Sequence, residues 1–156
     1  YMVDKLLKFM SGKNIPVNLR IKPHPMEPVE PWRTFVAAAK PRYAARNISI
    51  EITTGALEEV LADAHIALGI STMALLEASA CGVQTFSCQM EFQDADYGYI
   101  PFEEYGIDRI RCTGDLARVF SSNVPQVREF HFERSFEIMS STIDRLFIGR
   151  RVYMYD

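Results

Sequence analysis

Two kinds of hydrophobic pattern alternate along the chain. Short apolar runs of the kind found in buried strands predict strands at residues 15–21, 47–52, 65–70, 83–88 and 108–112. Between and after them, apolar residues recur three or four positions apart, and these segments predict helices at residues 1–10, 32–40, 56–64, 71–82, 113–120 and 133–147. Strands that alternate with helices are typical of βαβ crossovers. The pattern therefore predicts an α/β protein with a parallel sheet, whose ligand site lies at the carboxyl ends of the strands.

Proline, glycine and hydroxyl residues predict where several elements begin and end. Residues 25–31 hold too many prolines for a helix, and Pro41 is expected to end the helix that follows. Ser71 is a natural N-cap for the helix after the third strand, and Gly82 is a natural residue to stop that helix. The third strand is nearly all apolar, which predicts burial on both faces. Residues 89–106 are acidic and aromatic and predict a long loop.

The composition narrows the class of protein and of partner. With 156 residues, 48% of them apolar and 24% charged, the chain is predicted to form one globular domain over residues 1–156. A net charge of −3 argues against nucleic acid as a partner, because a nucleic-acid surface needs a concentrated basic face. The apolar runs are much shorter than the roughly 20 residues needed to cross a bilayer, and no signal-peptide pattern opens the chain. These features predict a cytoplasmic protein.

The cysteines and the first residue add two further expectations. Cys81, Cys88 and Cys112 lie in apolar or strand-like contexts without CxxC spacing, which argues against a zinc site and a disulfide framework. The chain begins with Tyr1 inside a predicted helix. We therefore expect it to be a fragment of a longer protein.

The segment GISTMALLEASACG places polar residues where the third strand meets the next helix. Gly69 would let the main chain approach a ligand, and Ser71 and Thr72 offer hydroxyl and N–H groups at a helix start, where the helix dipole favours a phosphate. Glu77 lies six residues after Ser71, or about 9 Å along a helix axis, and is placed to accept hydrogen bonds from ribose hydroxyls. From spacing alone, a simple helix cap and a solvated Glu77 are the preferred interpretation.

The segment KPHP follows the first strand in the same way. His24 can donate a hydrogen bond to a phosphate oxygen, and Lys22 can add positive charge. The two prolines restrict the turn and lower the entropy lost when the imidazole is held in place. A histidine in a surface turn beside a solvated Lys22 is the alternative. Two candidate anion sites at the carboxyl ends of strands in one predicted sheet favour the functional interpretation.

Taken in order, the two segments resemble a known family. IKPHP followed by ADAHIALGISTMALLEASACGVQTFS is similar to the carboxyl-terminal, donor-binding half of GT-B-fold glycosyltransferases. The similarity is greatest to bacterial surface-polysaccharide enzymes, of the sialyltransferase, polysialyltransferase and capsule or teichoic-acid transferase type, and spans about residues 15–86. GT-B donor domains usually begin with a strand and a glycine-containing loop, whereas this chain begins with a helix.

The resemblance implies a Rossmann-like domain that is half of a GT-B fold and binds a nucleotide-sugar. His24 would contact the donor phosphate and help the nucleotide leave, with Lys22 beside it. Ser71 and Thr72 would bind phosphate after Gly69, and Glu77 would bind ribose. The mechanism would be electrostatic and independent of metal, since no acidic DxD-type pair lies near these residues. A saccharide acceptor would bind through a separate amino-terminal domain, and peripheral association of the full protein with a membrane is compatible with this role.

Other residues predict mainly structural roles. Trp32 is interpreted as packing, with a nucleobase wall as its alternative, and Gln89 and Asp94 are weaker candidates for a sugar pocket. His65 is expected in the core or at a strand edge, and His131 on the surface.

Two rival functions remain open at this point. UDP-sugar 2-epimerases share the fold and a similar Ser/Glu helix, but they need more acidic and histidine residues near the cleft. A noncatalytic domain that binds a nucleotide or mediates assembly is the other alternative.

Overall fold

A computed structural model describes residues 2–13, 15–90 and 102–121. The chain divides into two compact units, unit 1 (Tyr1–Val60) and unit 2 (Leu61–Asp156). The helices and strands, in chain order, are α1 (Met2–Lys13), β1 (Val17–Ile21), α2 (Val29–Tyr43), β2 (Ile48–Ile52), α3 (Leu57–Leu61), β3 (Ile66–Gly69), α4 (Met73–Ala80), β4 (Gln84–Cys88), β5 (Asp108–Ile110) and α5 (Thr113–Ser121). Two short 3₁₀ helices cover Ala44–Arg46 and Phe102–Tyr105. The predicted single domain over residues 1–156 stays a prediction.

The strands pair in parallel, as the alternating pattern predicts. β1 pairs with β2 in a two-stranded sheet, with Leu19 opposite Ile50, and β4 lies between β3 and β5 in a three-stranded sheet. The α/β class and the parallel direction are therefore confirmed, although the described strands form two small sheets. These features are compatible with a Rossmann-like fold.

Unit 1 has one apolar and one polar sheet face. Ile21, Ile48 and Ile50 are buried, and α2 packs against β2. On the alternate positions, the register partners Ser49 and Asn18 share a hydrogen bond of 2.9 Å, and Arg20 and Glu51 form an ion pair of 2.8 Å. The alternation of side chains along a strand separates these two sets.

Helix α2 corrects the prediction made from its prolines. It starts at Val29, three residues before the predicted start, and it continues through Pro41 to Tyr43. Pro31 is tolerated because N–H groups of the first turn have no partner inside the helix. Pro41 lies close to the other end, so it removes one hydrogen bond near a terminus while buried Val36, Ala39 and Tyr43 keep the helix packed.

Unit 2 is built around β4. Phe86, Ser87 and Cys88 of this strand are buried, and a core cluster forms from Leu75, Leu76, Phe102 and Ile107. The prediction that the third strand is buried on both faces is wrong, because all four residues of β3 are only half-buried. Within the described sheet of unit 2, β3 lies at an edge and has β4 as its neighbour on one side.

The remaining boundaries differ by a few residues. α1 extends to Lys13, and α3 is much shorter than the predicted 56–64, with Leu61 as its buried residue. A helix this short has little packing to stabilise further turns. The predicted loop at 89–106 contains the 3₁₀ turn Phe102–Tyr105, while residues 91–101 and the predicted helix at 133–147 lie outside the described residues. In the described part of the chain, every helix is too short or too polar to cross a bilayer.

Candidate functional site

In unit 1, Lys22 connects the loops at the carboxyl ends of β1 and β2. Its Nζ donates a hydrogen bond of 2.7 Å to the main-chain oxygen of Gly55, 33 residues away. The N–H of Thr53 also donates to the main-chain oxygen of Ile21, at 2.9 Å. Lys22 is half-buried, so it is anchored in the fold and its ammonium group keeps two further N–H donors.

His24 lies in a closed β-turn. The N–H of Glu27 donates to the main-chain oxygen of His24 at 2.8 Å, and Pro25 occupies the second turn position, where its fixed φ fits. The N–H of Met26 donates to Nδ1 of His24 at 3.2 Å. Because a main-chain amide can only donate, Nδ1 must accept, and the proton of the neutral imidazole lies on Nε2. The exposed His24 therefore offers Nε2–H as its donor.

A neighbouring carboxylate limits what this turn can bind. Oε2 of Glu27 accepts a hydrogen bond of 3.4 Å from the main-chain N–H of His24. That N–H is consequently occupied, and the negative charge of Glu27 opposes a second anion beside it. A phosphate at this turn would depend on Nε2 of His24 and on Lys22. Glu27 is absent from the residues predicted for the site, although its place three residues after His24 is a spacing that returns a side chain to a turn.

In unit 2, the loop from β3 enters α4 with Thr72 as its cap. Thr72 has extended dihedral angles (φ −146°, ψ 145°), and its Oγ1 accepts a hydrogen bond of 3.3 Å from the N–H of Ala74. Its main-chain oxygen accepts from Leu75 at 3.1 Å. The prediction that Ser71 is the N-cap is wrong by one residue. Ser71 is instead exposed and lies one residue before the cap.

Gly69 is closely packed against residues of α4 and its cap. A Cβ on this residue would lie 3.1 Å from Cδ2 of Leu75 and 3.1 Å from Cγ2 of Thr72. The close approach expected at Gly69 is thus made to the chain's own helix α4. Its role in approaching a ligand stays a prediction.

Glu77 is half-buried in the middle of α4, four residues after Met73. Residues four apart share a helix face, so Glu77 lies on the same face as Met73, which is 38% exposed. The ribose-binding role of Glu77 stays a prediction. As expected, Gly82 ends the helix, in the left-handed conformation with φ +80°.

A buried series of side-chain hydrogen bonds lies behind the loop between β3 and α4. Ser87 is fully buried in β4, and its Oγ donates to the main-chain oxygen of Ile70 at 2.6 Å. Nε2 of Gln89 donates to the same Oγ at 3.2 Å. Gln89 is 5% exposed and is held by this bond, which argues for a structural role over the weaker sugar-pocket prediction. The sequence signal for Ser87 is a hydroxyl residue within the apolar end of a strand.

The loop after β5 has a different electrostatic character. Oδ2 of Asp115 accepts from the N–H groups of Arg111 at 2.8 Å and Cys112 at 3.1 Å, and Oδ1 pairs with Arg118. The hydrogen bond from the Arg111 N–H and that from Arg118 lower the pKa of Asp115 from 3.8 to about 2. A carboxylate already occupies this helix start, so it is unsuited to a phosphate.

The remaining residues with roles predicted from the sequence lie at separate places along the chain. Trp32 is half-buried and packs edge-to-face on Phe35, with ring centroids 6.2 Å apart, while His65 is exposed just before β3 and outside the core. Asp94 and His131 lie outside the described residues. The three cysteines form no disulfide; Cys88 is buried and Cys112 is exposed. Over residues 2–13, 15–90 and 102–121, no group of three or more His, Cys, Asp or Glu side chains is placed to hold a metal ion.

The predicted site residues fall into two groups. Lys22 and His24 follow β1 of the two-stranded sheet in unit 1, and the second group, at the end of β3 and in α4 of unit 2, consists of Gly69, Ser71, Thr72 and Glu77. The described strands therefore do not meet the expectation that both segments end strands of one sheet, because β1 and β3 pair in different sheets. Comparison of the chain with known protein families, with curated proteins and with solved structures finds no match.

Proposed function

We propose that the chain is the donor half of a glycosyltransferase, binding a nucleotide-sugar for surface-polysaccharide synthesis through a GT-B-type domain. The observation that carries the proposal is the loop from Gly69 to Thr72. It leaves the carboxyl end of a parallel strand, enters a helix whose cap is the uncharged Thr72, and exposes the hydroxyl of Ser71. Ligands of parallel α/β sheets bind at such strand ends, and a helix start favours an anion.

The hydrogen bonds of this loop indicate which groups would hold a phosphate. The N–H groups of Ala74 and Leu75 are occupied by Thr72. The ligand would therefore use the main-chain N–H groups at the end of this loop and the hydroxyl of Ser71. The hydroxyl proton of Thr72 also remains able to donate a hydrogen bond. Glu77, on the same helix, would accept hydrogen bonds from the ribose.

The KPHP turn supports the proposal by its chemistry. His24 presents Nε2–H as a donor, and Lys22 carries a positive charge at the carboxyl end of β1. Donors of this kind stabilise the negative charge that develops on a departing nucleotide phosphate. The saccharide acceptor and the catalytic base would come from a separate acceptor domain, and the donor chemistry named here requires no metal.

Titration calorimetry with CMP, UDP and their sugars tests the proposal. We expect the chain to bind a nucleotide, and His24→Ala and Ser71→Ala each to weaken binding by about threefold or more, as the loss of one hydrogen bond to a charged phosphate implies. His65→Ala and Ser49→Ala are matched controls, since both replace exposed residues outside the two loops. The proposal fails if no nucleotide binds, or if the control substitutions weaken binding as much as the loop substitutions do.

A further inference from the structure

The hydroxyl of Ser87 is positioned to control one peptide of the loop between β3 and α4. Ser87 is 0% exposed, and its Oγ lies 2.6 Å from the main-chain oxygen of Ile70, to which it donates. The Oγ of Ser87 in turn accepts a hydrogen bond from Nε2 of the buried Gln89. Donor and acceptor functions of the hydroxyl are therefore both used in the interior, where a hydrogen bond is strong and a missing partner is costly.

This bond determines the direction of the next N–H group. A trans peptide is planar, so the C=O of Ile70 and the N–H of Ser71, which belong to the same peptide, point in opposite directions. With the Ile70 oxygen held by Ser87, the Ser71 N–H is directed away from β4. Rotation of this peptide would break the bond to Ser87 and leave a buried hydroxyl proton without its acceptor.

We propose that Ser87 is a positioning residue, which fixes the Ile70–Ser71 peptide so that the Ser71 main-chain N–H binds a phosphate oxygen of the nucleotide. The binding of phosphate by the Ser71 N–H rests on the proposed function. Ser87 itself does not touch the ligand, because it is fully buried beneath the loop it orients. The ligand chemistry is a phosphate group recognised through the main chain, which is independent of the base of the nucleotide.

β4 supplies a matched control in Thr85. Thr85 lies two residues before Ser87, is 6% exposed, and its hydroxyl also donates to a main-chain oxygen, that of Val83 at 2.8 Å. Its bond is local to the amino end of β4, whereas that of Ser87 reaches across 17 residues to the loop. Ser87→Ala and Thr85→Ala thus each remove one buried hydroxyl donor from the same strand.

The experiment measures affinity and peptide orientation on the whole chain. We expect Ser87→Ala to weaken binding of CMP, UDP and inorganic phosphate by roughly three- to tenfold, while Thr85→Ala changes it by less than about twofold. Ser87→Thr, which keeps the hydroxyl, is expected to restore most of the affinity. In carbonyl-detected NMR, Ser87→Ala should shift the Ile70 carbonyl signal and speed hydrogen exchange of the Ser71 amide, and Thr85→Ala should leave both unchanged.

The outcomes separate this inference from the proposed function. If the chain binds nucleotide and the two alanine variants lose equal affinity, the positioning role is wrong and the proposed function stands. If the unsubstituted chain binds none of the three ligands, the proposed function and the binding of phosphate by the Ser71 N–H fail together. The NMR signals of Ile70 and Ser71 then decide whether Ser87 orients the peptide. Unchanged signals in Ser87→Ala overturn that claim as well. If Ser87→Ala is unfolded, Ser87→Cys, which keeps the side-chain shape but has only a weak donor, takes its place in the comparison with Thr85→Ala.

Discussion

Residues at the ends of the parallel strands differ in the charge that they bring to nearby N–H groups. Asp115 places a carboxylate on two N–H groups after β5, and Glu27 places one on the N–H of His24. Thr72 caps α4 with an uncharged hydroxyl. Since a carboxylate both occupies the donors and repels an anion, the loop before α4 is the better phosphate site of these three.

Asp115 gives a prediction for the pH dependence of stability. Its pKa is about 2 in the folded chain and 3.8 without the fold, so the folded state binds fewer protons between these values. The stability it contributes is present above about pH 4 and is lost as the pH falls towards about 2. We expect Asp115→Asn to lower the free energy of unfolding by about 1 kcal/mol near pH 6, and by clearly less near pH 3, as measured by urea unfolding.

The control for this prediction is Asp108→Asn, which neutralises an exposed carboxylate on β5. A loss of stability in Asp115→Asn that is equal at both pH values would show that the charge of Asp115 is irrelevant to its capping bonds.

At the scale of elements, two local signals for a helix end have different outcomes. Gly82 stops α4 through a Schellman motif, in which the Gly82 N–H donates to Ser79 at 2.9 Å and the Val83 N–H donates to Ala78 at 3.0 Å. By contrast, Pro41 did not stop α2. A left-handed glycine is selected by its own dihedral angles, whereas a proline near a helix end costs one bond that packing can outweigh.

Two glycine substitutions are expected to have opposite effects. Gly82→Ala places a side chain on a residue with φ +80° and should lower the free energy of unfolding by about 1–2 kcal/mol. Gly12→Ala lies inside α1, where a Cβ meets no atom within 4 Å, and should raise the free energy of unfolding by up to about 1 kcal/mol. Urea unfolding measures both, and effects of the same sign would contradict the assigned conformations.

At the scale of the whole molecule, the chain is an α/β protein of two compact units with parallel strands. The core cluster of unit 2 joins α4 to the 3₁₀ turn through Leu75, Leu76, Phe102 and Ile107. Phe102 is 0% exposed although it lies within the acidic, aromatic segment 89–106 that predicts a loop. Burial of this ring shows that part of that segment belongs to the core.

Removing the Phe102 ring should therefore destabilise the chain strongly. We expect Phe102→Ala to lower the free energy of unfolding by about 3–5 kcal/mol, the range for a buried phenylalanine that leaves a cavity. Met26→Ala, at a side chain that is 87% exposed, should change it by less than about 0.5 kcal/mol. Equal denaturation midpoints for the two variants would contradict the burial of Phe102.

The sequence by itself determined the alternation of strands and helices, the turn at Pro25 and the stop at Gly82. These features depend on neighbouring residues, through hydrophobic period and dihedral preference. Tertiary structure alone decided that Lys22 binds the Gly55 oxygen and that Ser87 holds the Ile70 oxygen, because these partners lie 33 and 17 residues apart. A hydrogen bond between distant residues leaves no periodic trace in a sequence, since it depends on where the fold brings each strand end.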